Sequence, residues 1–356
     1  MTGLELPTGP VATVDLRAYR RNIDRIRTRV APANLMAVVK ADAYGHGLLP
    51  IAQTAVSAGV GWIGALDLAT ALELRAEGIH ADVAIFAWLL GPDDDFAPPI
   101  EAGIDLGVST IEQLEAIAAS GASGIARVHL KIDTGLHRNG ADPADWPALV
   151  SRALELADRV DLVGVWTHIS EASDAEDTVA IERFHEAIAV AQRLGAGFGV
   201  RHLAASAASF ARADARFDVV RVGAFGYGIS PGGGITPESL RLEPVLTLTA
   251  SVYAVQDGVA RVAIGFGDGI LGSAAGLMEV AINGTRHPIV DVEIDTLRVA
   301  IGTTTVSPGD TAVLFGSGSL GEPTLQEWGD RLGTIGEEIV TRLSPRIPRR
   351  HIHPGE

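Results

Sequence analysis

The sequence predicts an α/β protein in which a (β/α)8 barrel is followed by a mainly β C-terminal domain. From about residue 35 to 223, short apolar and β-branched runs alternate with longer segments of helical period, as parallel βα units do. Eight such units within about 190 residues are typical of a closed barrel. Beyond Pro231 the apolar residues alternate with a period of two, so we expect a separate, strand-rich domain there.

Each barrel strand is predicted from a short apolar run bounded by polar or turn-forming residues. No glycine-rich dinucleotide fingerprint follows the first run, so a barrel is favoured over an open doubly wound sheet. Several helical segments between the runs close on glycine, a common helix stop. The predicted helices cover 48–59, 68–78, 111–121 and 177–195. The predicted strands cover 35–41, 62–66, 83–88, 105–109, 126–133, 163–169, 201–206 and 219–223.

A Gly/Pro-rich connector at residues 228–238 separates the two regions of different period. We therefore assign residues 10–234 to the barrel and residues 235–356 to the C-terminal β domain. The end of this domain has a helical period at 325–344 before a basic tail at 345–356. Its strands are predicted within 246–256, 259–266, 276–285, 287–302 and 311–318.

Composition excludes several classes of partner and chemistry. The 356 residues include 28 Lys plus Arg against 44 Asp plus Glu, and the net charge of −16 disfavours nucleic acid and anionic membrane surfaces. The absence of cysteine removes disulfides, thiolate metal sites and thiol nucleophiles, and we expect no metal. No secretion signal and no apolar run of the roughly 20 residues that a membrane helix needs is found, so a cytoplasmic protein is expected.

Polar residues at the C-terminal ends of the predicted barrel strands form the candidate site, because barrel enzymes carry their chemistry there. Any one of these residues alone is explained by a strand-end hydrogen bond or an ion pair. Their occurrence on five strands favours a functional site. They are Lys40, Lys131 with Arg138 just beyond it, His168, Ser206 and Arg221.

The run AVVKADAYGHG at residues 37–47 resembles the cofactor-attachment signature of the alanine racemase family. In that family, a lysine at the end of the first barrel strand forms a Schiff base with pyridoxal 5'-phosphate. The resemblance implies a two-domain isomerase that works as a head-to-tail homodimer on a small amino acid. It continues in the family's order at 128–140, 166–170, 202–209, 219–228, 265–269, 292–296 and 332–350.

The resemblance assigns the cofactor's attachment and its phosphate to five positions. Lys40 would hold the cofactor and, once freed, act as a base on the substrate α-carbon. Tyr44, Ser206 and the backbone at Gly223 and Ala224 would contact the phosphate. The last of these positions follow the seventh and eighth strands, where barrels commonly bind phosphate groups.

Three further basic residues receive roles from the same resemblance. Arg221 would face the pyridine nitrogen, and a guanidinium, which does not give up its proton, would leave that nitrogen unprotonated. Arg138 would contact the cofactor's phenolic oxygen and the substrate carboxylate. Lys131 matches a position that carries a carbamate in some members, and an unmodified lysine fits the barrel interior equally well.

The sequence departs from the family at the side of the site that the partner subunit contributes. Where the family has a catalytic tyrosine in G-Y-x-D-G, this chain has Phe266 in GFGDG. The family's methionine before Asp295 is Ile294, the asparagine before the phosphate serine is Ala205, and a tyrosine near the C-terminus is His351. Ile294 would contribute mainly backbone to the substrate site, and His351 can still donate a hydrogen bond.

Phe266 bears on activity, because racemisation requires a proton donor on the face of the substrate opposite Lys40. Losing such a group typically costs ~10²–10⁴-fold in rate. His168, which orients the tyrosine in the family, would lack its partner, and water, Tyr253 or His168 itself are candidate substitutes. The alternatives are therefore a slow alanine racemase, a relative recruited to retro-aldol cleavage or transamination of a D-amino acid, and a non-catalytic cofactor carrier.

A hypothesis from outside the family is a cofactor-free barrel enzyme that acts on sugars with paired carboxylates. The candidates Asp133 and Glu171 are isolated in predicted loops, so no such pair is predicted. A yellow purified protein would indicate pyridoxal phosphate, and a colourless one would favour the sugar enzyme.

Overall fold

The computed structural model describes residues 9–353. The strands are β1 (Val11–Asp15), β2 (Asn34–Val38), β3 (Trp62–Asp67), β4 (Ala84–Leu89), β5 (Ile104–Val108), β6 (Ala126–Lys131), β7 (Val160–Trp166), β8 (Val200–His202), β9 (Val219–Val222), β10 (Leu246–Gln256), β11 (Val259–Val262), β12 (Glu279–Ile282), β13 (Thr285–Val292), β14 (Leu297–Ala300), β15 (Thr311–Phe315) and β16 (Arg349–Ile352). The helices are α1 (Leu16–Val30), α2 (Lys40–Gly45), α3 (Leu48–Ser57), α4 (Leu68–Ala76), α5 (Ala97–Glu101), α6 (Ile111–Ala118), α7 (Trp146–Glu155), α8 (Asp174–Arg193), α9 (Ser206–Ala211), α10 (Leu325–Leu332) and α11 (Gly336–Thr341).

The chain forms two compact units that are interleaved in sequence. The first unit contains Ile26–Lys40 and Ala55–Gly223, and therefore all eight strands from β2 to β9. The second contains the described residues up to Arg25, Ala41–Thr54 and the described residues from Ala224 onward. The boundary between residues 234 and 235 stays a prediction.

The first unit is a closed barrel of eight parallel strands in the order β2 to β9. All eight predicted strands lie on these elements, so the predicted fold class is confirmed. Their ends differ by a few residues, since β2 stops at Val38, and β8 is only three residues long. Met36, Phe86, Trp166 and Val219 fill the barrel interior as one apolar cluster. Residues alternate across each strand, so Arg221 points to the same side as Val219.

Side chains that cap helix N-termini set several of the barrel connections. The carboxylate of Asp67 accepts a hydrogen bond from Thr70 N at 2.8 Å at the start of α4. Thr110 and Ser173 accept equivalent bonds at the starts of α6 and α8. Such caps satisfy backbone N–H groups that have no partner within the helix, and so fix where each helix begins after its strand.

The second unit is built on an eight-stranded sheet in the order β11-β14-β13-β12-β15-β10-β1-β16. Its period-two runs are confirmed as strands. The basic tail expected at 345–356 needs a correction. Arg349–Ile352 form a strand, β16, which pairs in parallel with β1. β1, which the sequence did not predict, also pairs antiparallel with β10. Within residues 9–353, no helix has the length and apolar character needed to cross a bilayer.

The segment α2 is a single turn wound in the left-handed sense. Ala41, Asp42, Ala43 and Tyr44 have φ values of 53–54°, a conformation that costs roughly 1–2 kcal/mol for each residue with a β-carbon. Two hydrogen bonds to Asp42 close the segment, from Gly47 N to its carbonyl at 3.0 Å and from Leu48 N to its carboxylate at 2.7 Å. Backbone strain of this kind is found mainly where function demands it.

Candidate active site

The strand order brings the predicted basic residues to one end of the barrel. Lys40 follows β2, Lys131 is the last residue of β6, and Arg221 lies near the end of β9. Ser206 begins α9 directly after β8, and His168 follows β7. Because the strands are parallel and closed, their carboxyl ends face the same mouth.

Arg221 is the most extensively bonded side chain of this mouth, and it is only 4% exposed. Its two Nη2 hydrogens are shared among three acceptors, the carbonyls of Thr167 at 2.8 Å and Leu203 at 3.0 Å and His168 Nδ1 at 2.9 Å. Its Nη1 donates to His202 Nδ1 at 3.0 Å. Burial lowers the pKa of Arg221 to about 9, although the charge of Glu171 acts to raise it. The guanidinium therefore stays charged at neutral pH.

His168 has a proton arrangement that follows from this contact. A guanidinium has no acceptor, so His168 Nδ1 must accept and the ring proton sits on Nε2. Burial, followed by the charges of Arg221, Arg138, Lys131 and Lys40, lowers the pKa of His168 well below its ordinary value. His168 is therefore a neutral imidazole that presents an N–H donor.

Lys131 is held in a desolvated, positively charged environment. Burial and then the charges of Arg221 and Arg138 lower the pKa of Lys131 to about 7. Its Nζ donates to Asn139 Oδ1 and lies 4.4 Å from the centre of the Trp166 ring. A substantial fraction of this amine is consequently uncharged at neutral pH.

The region where the resemblance places the phosphate contains two polar groups that contact each other. Ser206 Oγ lies at the start of α9 and Gly223 N follows β9, and the Gly223 N–H donates to Ser206 Oγ at 3.2 Å. Beside the mouth, a cleft of about 430 Å³ is lined by His168, Leu136 and residues of α8, including Val179 and Arg183.

Asp133 and Glu171, the carboxylates considered for a sugar hydrolase, are each hydrogen-bonded to different groups. Asp133 accepts from Gly135 N and His137 Nδ1, at 2.9 and 3.0 Å. Glu171 Oε1 accepts from Ala208 N at 2.8 Å, and burial raises the pKa of this carboxyl. Asp133 is therefore bonded within its own loop, whereas Glu171 is bonded to the backbone of α9.

The second unit contains Tyr44, Ala224 and His351. The ring of Tyr44 lies 4.9 Å from that of Tyr227, and burial raises the pKa of the Tyr44 hydroxyl. His46 Nδ1 donates to the Tyr44 carbonyl at 2.8 Å, and His351 Nε2 donates to the His46 carbonyl at the same distance. The Nε2–H of His351 is thus engaged by a backbone carbonyl, and the role of His351 at the cofactor stays a prediction. Ala224 opens a short 3₁₀ turn, Ala224–Tyr227.

Phe266 lies in the second unit on a 3₁₀ turn that is fastened to the loop carrying Ile294 and Asp295. Phe266 N donates to the Glu293 carbonyl at 2.9 Å, and Gly267 N donates to the Ile294 carbonyl at 2.7 Å. The side chains of Phe266 and Ile294 are 52% and 65% exposed, so two apolar groups face outward together.

The remaining groups of this loop are already hydrogen-bonded. Thr296 Oγ1 donates to Asp295 Oδ1 at 3.1 Å, and the Tyr253 hydroxyl lies 3.0 Å from Thr296 Oγ1. With the proton of Thr296 directed at Asp295, the Tyr253 hydroxyl donates to Thr296. The proton of Tyr253 is therefore engaged within its own unit.

Sequence reasoning missed three buried polar residues of the barrel, Asp105, His129 and His202. The alternation of side chains along a strand could have found His129, because it lies two residues before Lys131 and so points to the same side of β6. The chain contains two lysines, Lys40 and Lys131, and both lie at the barrel mouth. Within the described part of the chain, no group of three His, Cys, Asp or Glu side chains is arranged to hold a metal ion.

Two family models match the chain, "Alanine racemase, N-terminal domain" at residues 14–231 and "Alanine racemase, C-terminal domain" at residues 249–351. An alanine racemase from Thermobifida fusca (strain YX) is 41% identical, with 95% of this chain and 96% of the relative covered. The alanine racemase structure from Streptomyces coelicolor A3(2) matches with a TM-score of 0.94 and 38% identity, over 97% of this chain and 98% of that one. The enzyme from D-cycloserine-producing Streptomyces lavendulae matches with a TM-score of 0.93 and 36% identity, over 98% of both.

A parallel barrel with a lysine, two arginines and a neutral histidine at its mouth, joined in sequence to a mainly β domain, defines a class of barrel enzymes that use pyridoxal 5'-phosphate. The chain belongs to the alanine racemase family. Enzymes of this family use pyridoxal 5'-phosphate.

The donor set of the barrel mouth fits this cofactor. Four basic side chains lie close enough to lower the pKa of His168, and together they make a field that attracts a phosphate and a carboxylate. Lys40 supplies a primary amine, Arg221 supplies donors without an acceptor, and Ser206 and Gly223 supply a hydroxyl and an N–H.

Proposed function

We propose that this protein is a pyridoxal 5'-phosphate-dependent alanine racemase that interconverts L- and D-alanine slowly. The observation that carries the proposal is the joint occurrence of Lys40, His168 and Arg221 at one barrel mouth in a chain 41% identical to an alanine racemase. We expect racemisation to be slow because the phenyl ring of Phe266 holds no transferable proton.

The cofactor, when bound, stabilises negative charge at the substrate α-carbon. Lys40 Nζ would hold it covalently and carry the α-proton on one face of the substrate. Arg221, fixed by Thr167 and Leu203, would orient the cofactor ring, and Tyr44, Ser206, Gly223, Ala224 and His351 would hold the phosphate end. Arg138, with Ile294 and Asp295 of a partner subunit, would bind the substrate.

The opposite face of the substrate lacks a side chain that can exchange a proton readily. His168 offers Nε2–H from a neutral imidazole, and its lone pair at Nδ1 is engaged by Arg221. The proton of Tyr253 is donated to Thr296. Water therefore remains the substitute that these contacts favour, and we expect proton transfer on this face to be slow.

A second candidate function is one-base chemistry on a D-amino acid, which the apolar Phe266 favours. Transamination of a D-amino acid needs only the face served by Lys40. Retro-aldol cleavage is less well supported, because it requires a group that accepts the hydroxyl proton, and His168 has no free acceptor nitrogen while Arg221 donates to Nδ1.

We expect the two faces to exchange protons at different rates. In deuterated buffer with pyridoxal phosphate present, D-alanine should gain α-deuterium faster than L-alanine, and racemisation should follow the slower of the two. Proton NMR measures the exchange, and chiral chromatography measures the racemisation. Equal and fast exchange from both enantiomers would show that another group has replaced the tyrosine, and no exchange from either would contradict the proposed function.

Lys131 meets two requirements for forming a carbamate. Its lowered pKa leaves uncharged amine available at neutral pH, and carbon dioxide reacts with that form. The nearby charges of Arg138 and Arg221, which disfavour a lysine cation, would stabilise a carbamate anion. We therefore include a carbamate on Lys131 in the proposal, with the role of orienting Arg138.

The proposal includes a homodimer in which the C-terminal domain of one copy contributes to the active site of the other. Support comes from Phe266 and Ile294, which lie on two loops joined by backbone hydrogen bonds and expose most of their apolar surface. Adjacent exposed apolar groups of this size often mark a protein interface.

Light scattering at micromolar concentration should give the mass of a dimer for the unaltered chain. Ile294→Glu should shift the equilibrium toward monomer, because it places a charge at the proposed interface. Ile125→Glu is a matched control, since Ile125 is 55% exposed and precedes β6 at the other end of the barrel. A cofactor-loaded monomer, or equal weakening by both variants, would contradict the proposed interface.

A further inference from the structure

A continuous chain of hydrogen bonds crosses the interior of the barrel below Arg221. Arg221 Nη1 is bonded to His202 Nδ1 at 3.0 Å, and His202 Nε2 lies 2.9 Å from His129 Nδ1. His129 Nε2 lies 3.2 Å from Asp105 Oδ2, and Asp105 Oδ1 accepts from Arg127 Nε at 2.5 Å. The chain thus joins the site to the opposite end of the barrel, since Arg127 and Asp105 lie near the starts of β6 and β5.

The direction of every bond in this chain is fixed by its ends. Arg221 can only donate, so His202 must accept at Nδ1 and carry its proton on Nε2. His202 then donates to His129 Nδ1, which leaves the proton of His129 on Nε2, where it is donated to Asp105. Both imidazoles are therefore neutral, and no proton can be passed back toward Arg221.

Asp105, at the end of the hydrogen-bonded chain away from Arg221, is held as a charged acceptor. Burial alone would raise the pKa of Asp105, but the hydrogen bonds from His129 and Arg127 and the charge of Arg127 bring it below its ordinary value. The Asp105 side chain is 1% exposed, whereas that of Arg127 is 43% exposed and meets solvent. Asp105 is thus a buried anion that terminates the chain as an acceptor.

The barrel has a cavity shaped for the His129 imidazole. A β-carbon at Gly164 would lie 2.4 Å from His129 Nδ1, so only glycine leaves room for the ring. Phe86 and Trp62 surround the ring, and the Trp166 ring stacks on His202 with an interplanar angle of 4°. Polar groups in such an apolar core are costly unless every one is paired, so each bond of the chain supports the next.

We infer that Asp105, His129 and His202 are positioning residues that act through one another to hold the Arg221 guanidinium at the barrel mouth. Arg221 contacts the cofactor only under the proposed function, so this inference rests on that function. Removing the acceptor at position 105 leaves His129 Nε2–H unpaired in the core, which is unfavourable and promotes rearrangement of both imidazoles.

The proton arrangement can be measured without substrate. In the cofactor-loaded protein labelled with ¹⁵N at its ten histidines, His129 and His202 should be neutral and protonated at Nε2. His129→Phe and His202→Phe assign the two signals. A proton on Nδ1 of either residue, or a cationic ring, would overturn the inference whether or not the protein racemises alanine.

Two variants of Asp105 with side chains of similar shape distinguish a positioning role from a role in stability alone. Asp105→Asn keeps an acceptor for His129, while Asp105→Leu does not. We expect Asp105→Asn to retain the kcat for D-alanine α-proton exchange and the absorbance maximum of the bound cofactor. Asp105→Leu should shift that maximum and lower kcat by at least ~10-fold, as displacement of an orienting group does.

His287→Phe is the matched control, because His287 is a buried histidine of β13 outside the chain. It should change the melting temperature without changing kcat or the spectrum. The inference fails if Asp105→Leu keeps the kcat and spectrum of the unaltered protein, or if the two Asp105 variants are equally impaired. An unaltered protein that exchanges no proton would instead refute the proposed function, and the histidine protonation would still test the chain.

Discussion

Lys40→Ala should abolish covalent attachment of pyridoxal phosphate and lower racemisation by at least ~10⁴-fold, since one side chain would both hold the cofactor and move a proton. After borohydride reduction, the unaltered chain should carry the cofactor mass on the peptide that contains Lys40. The variant should release the cofactor on denaturation. Absorbance, intact mass and peptide mapping measure these outcomes.

Because the chain has two lysines, a covalently trapped cofactor can be assigned to one of two positions. Lys131 is the other lysine of the chain, so Lys131→Ala is the matched control and should retain covalent attachment. Cofactor reductively trapped on Lys131, or racemisation undiminished in Lys40→Ala, would remove Lys40 from the proposed mechanism.

Phe266→Tyr should raise alanine racemisation by at least ~10-fold, because under the proposed function it would supply a hydroxyl proton on the face opposite Lys40. Phe266 is 52% exposed on a hydrogen-bonded turn, so the added oxygen displaces no packed neighbour of its own chain. The gain should occur mainly in α-proton exchange from L-alanine, and exchange from D-alanine should change little. Chiral chromatography and proton NMR in deuterated buffer separate these effects.

Phe198→Tyr is the control for adding a hydroxyl elsewhere, since Phe198 lies just before β8 at the far end of the barrel. It should leave both exchange rates unaltered. If Phe266→Tyr stays slow while the unaltered chain transaminates a D-amino acid, the racemase proposal is wrong and one-base chemistry takes its place.

The barrel was predictable because its signal is local. Each of the eight strands is a short apolar run between polar residues, and burial of both faces of a parallel strand produces that pattern whatever the partners are. Placement of Lys131, Ser206 and Arg221 followed directly, since parallel strands bring their carboxyl ends together. β1 and β16 escaped prediction, because a five-residue run and an arginine-rich tail become strands only by pairing with each other and with β10.

The left-handed turn after β2 shows a second limit. The residue types at Ala41, Asp42, Ala43 and Tyr44 favour ordinary helix or loop, yet their φ values lie near 54°. The residues just beyond this turn are bonded to a distant part of the chain, since His351 donates to the His46 carbonyl. Local preference alone therefore did not predict the conformation of this turn.

The sequence by itself determined the fold class, the lysine that would hold the cofactor and the presence at position 266 of a phenylalanine, which has no hydroxyl, since these depend on residue type and order. Only the tertiary structure decided that His168 and His202 are neutral donors and that Asp105 is linked to Arg221 through two imidazoles. The physical reason is that protonation depends on burial and on neighbouring charges. Those neighbours come from strands far apart in sequence, so their identity is set only when the barrel closes.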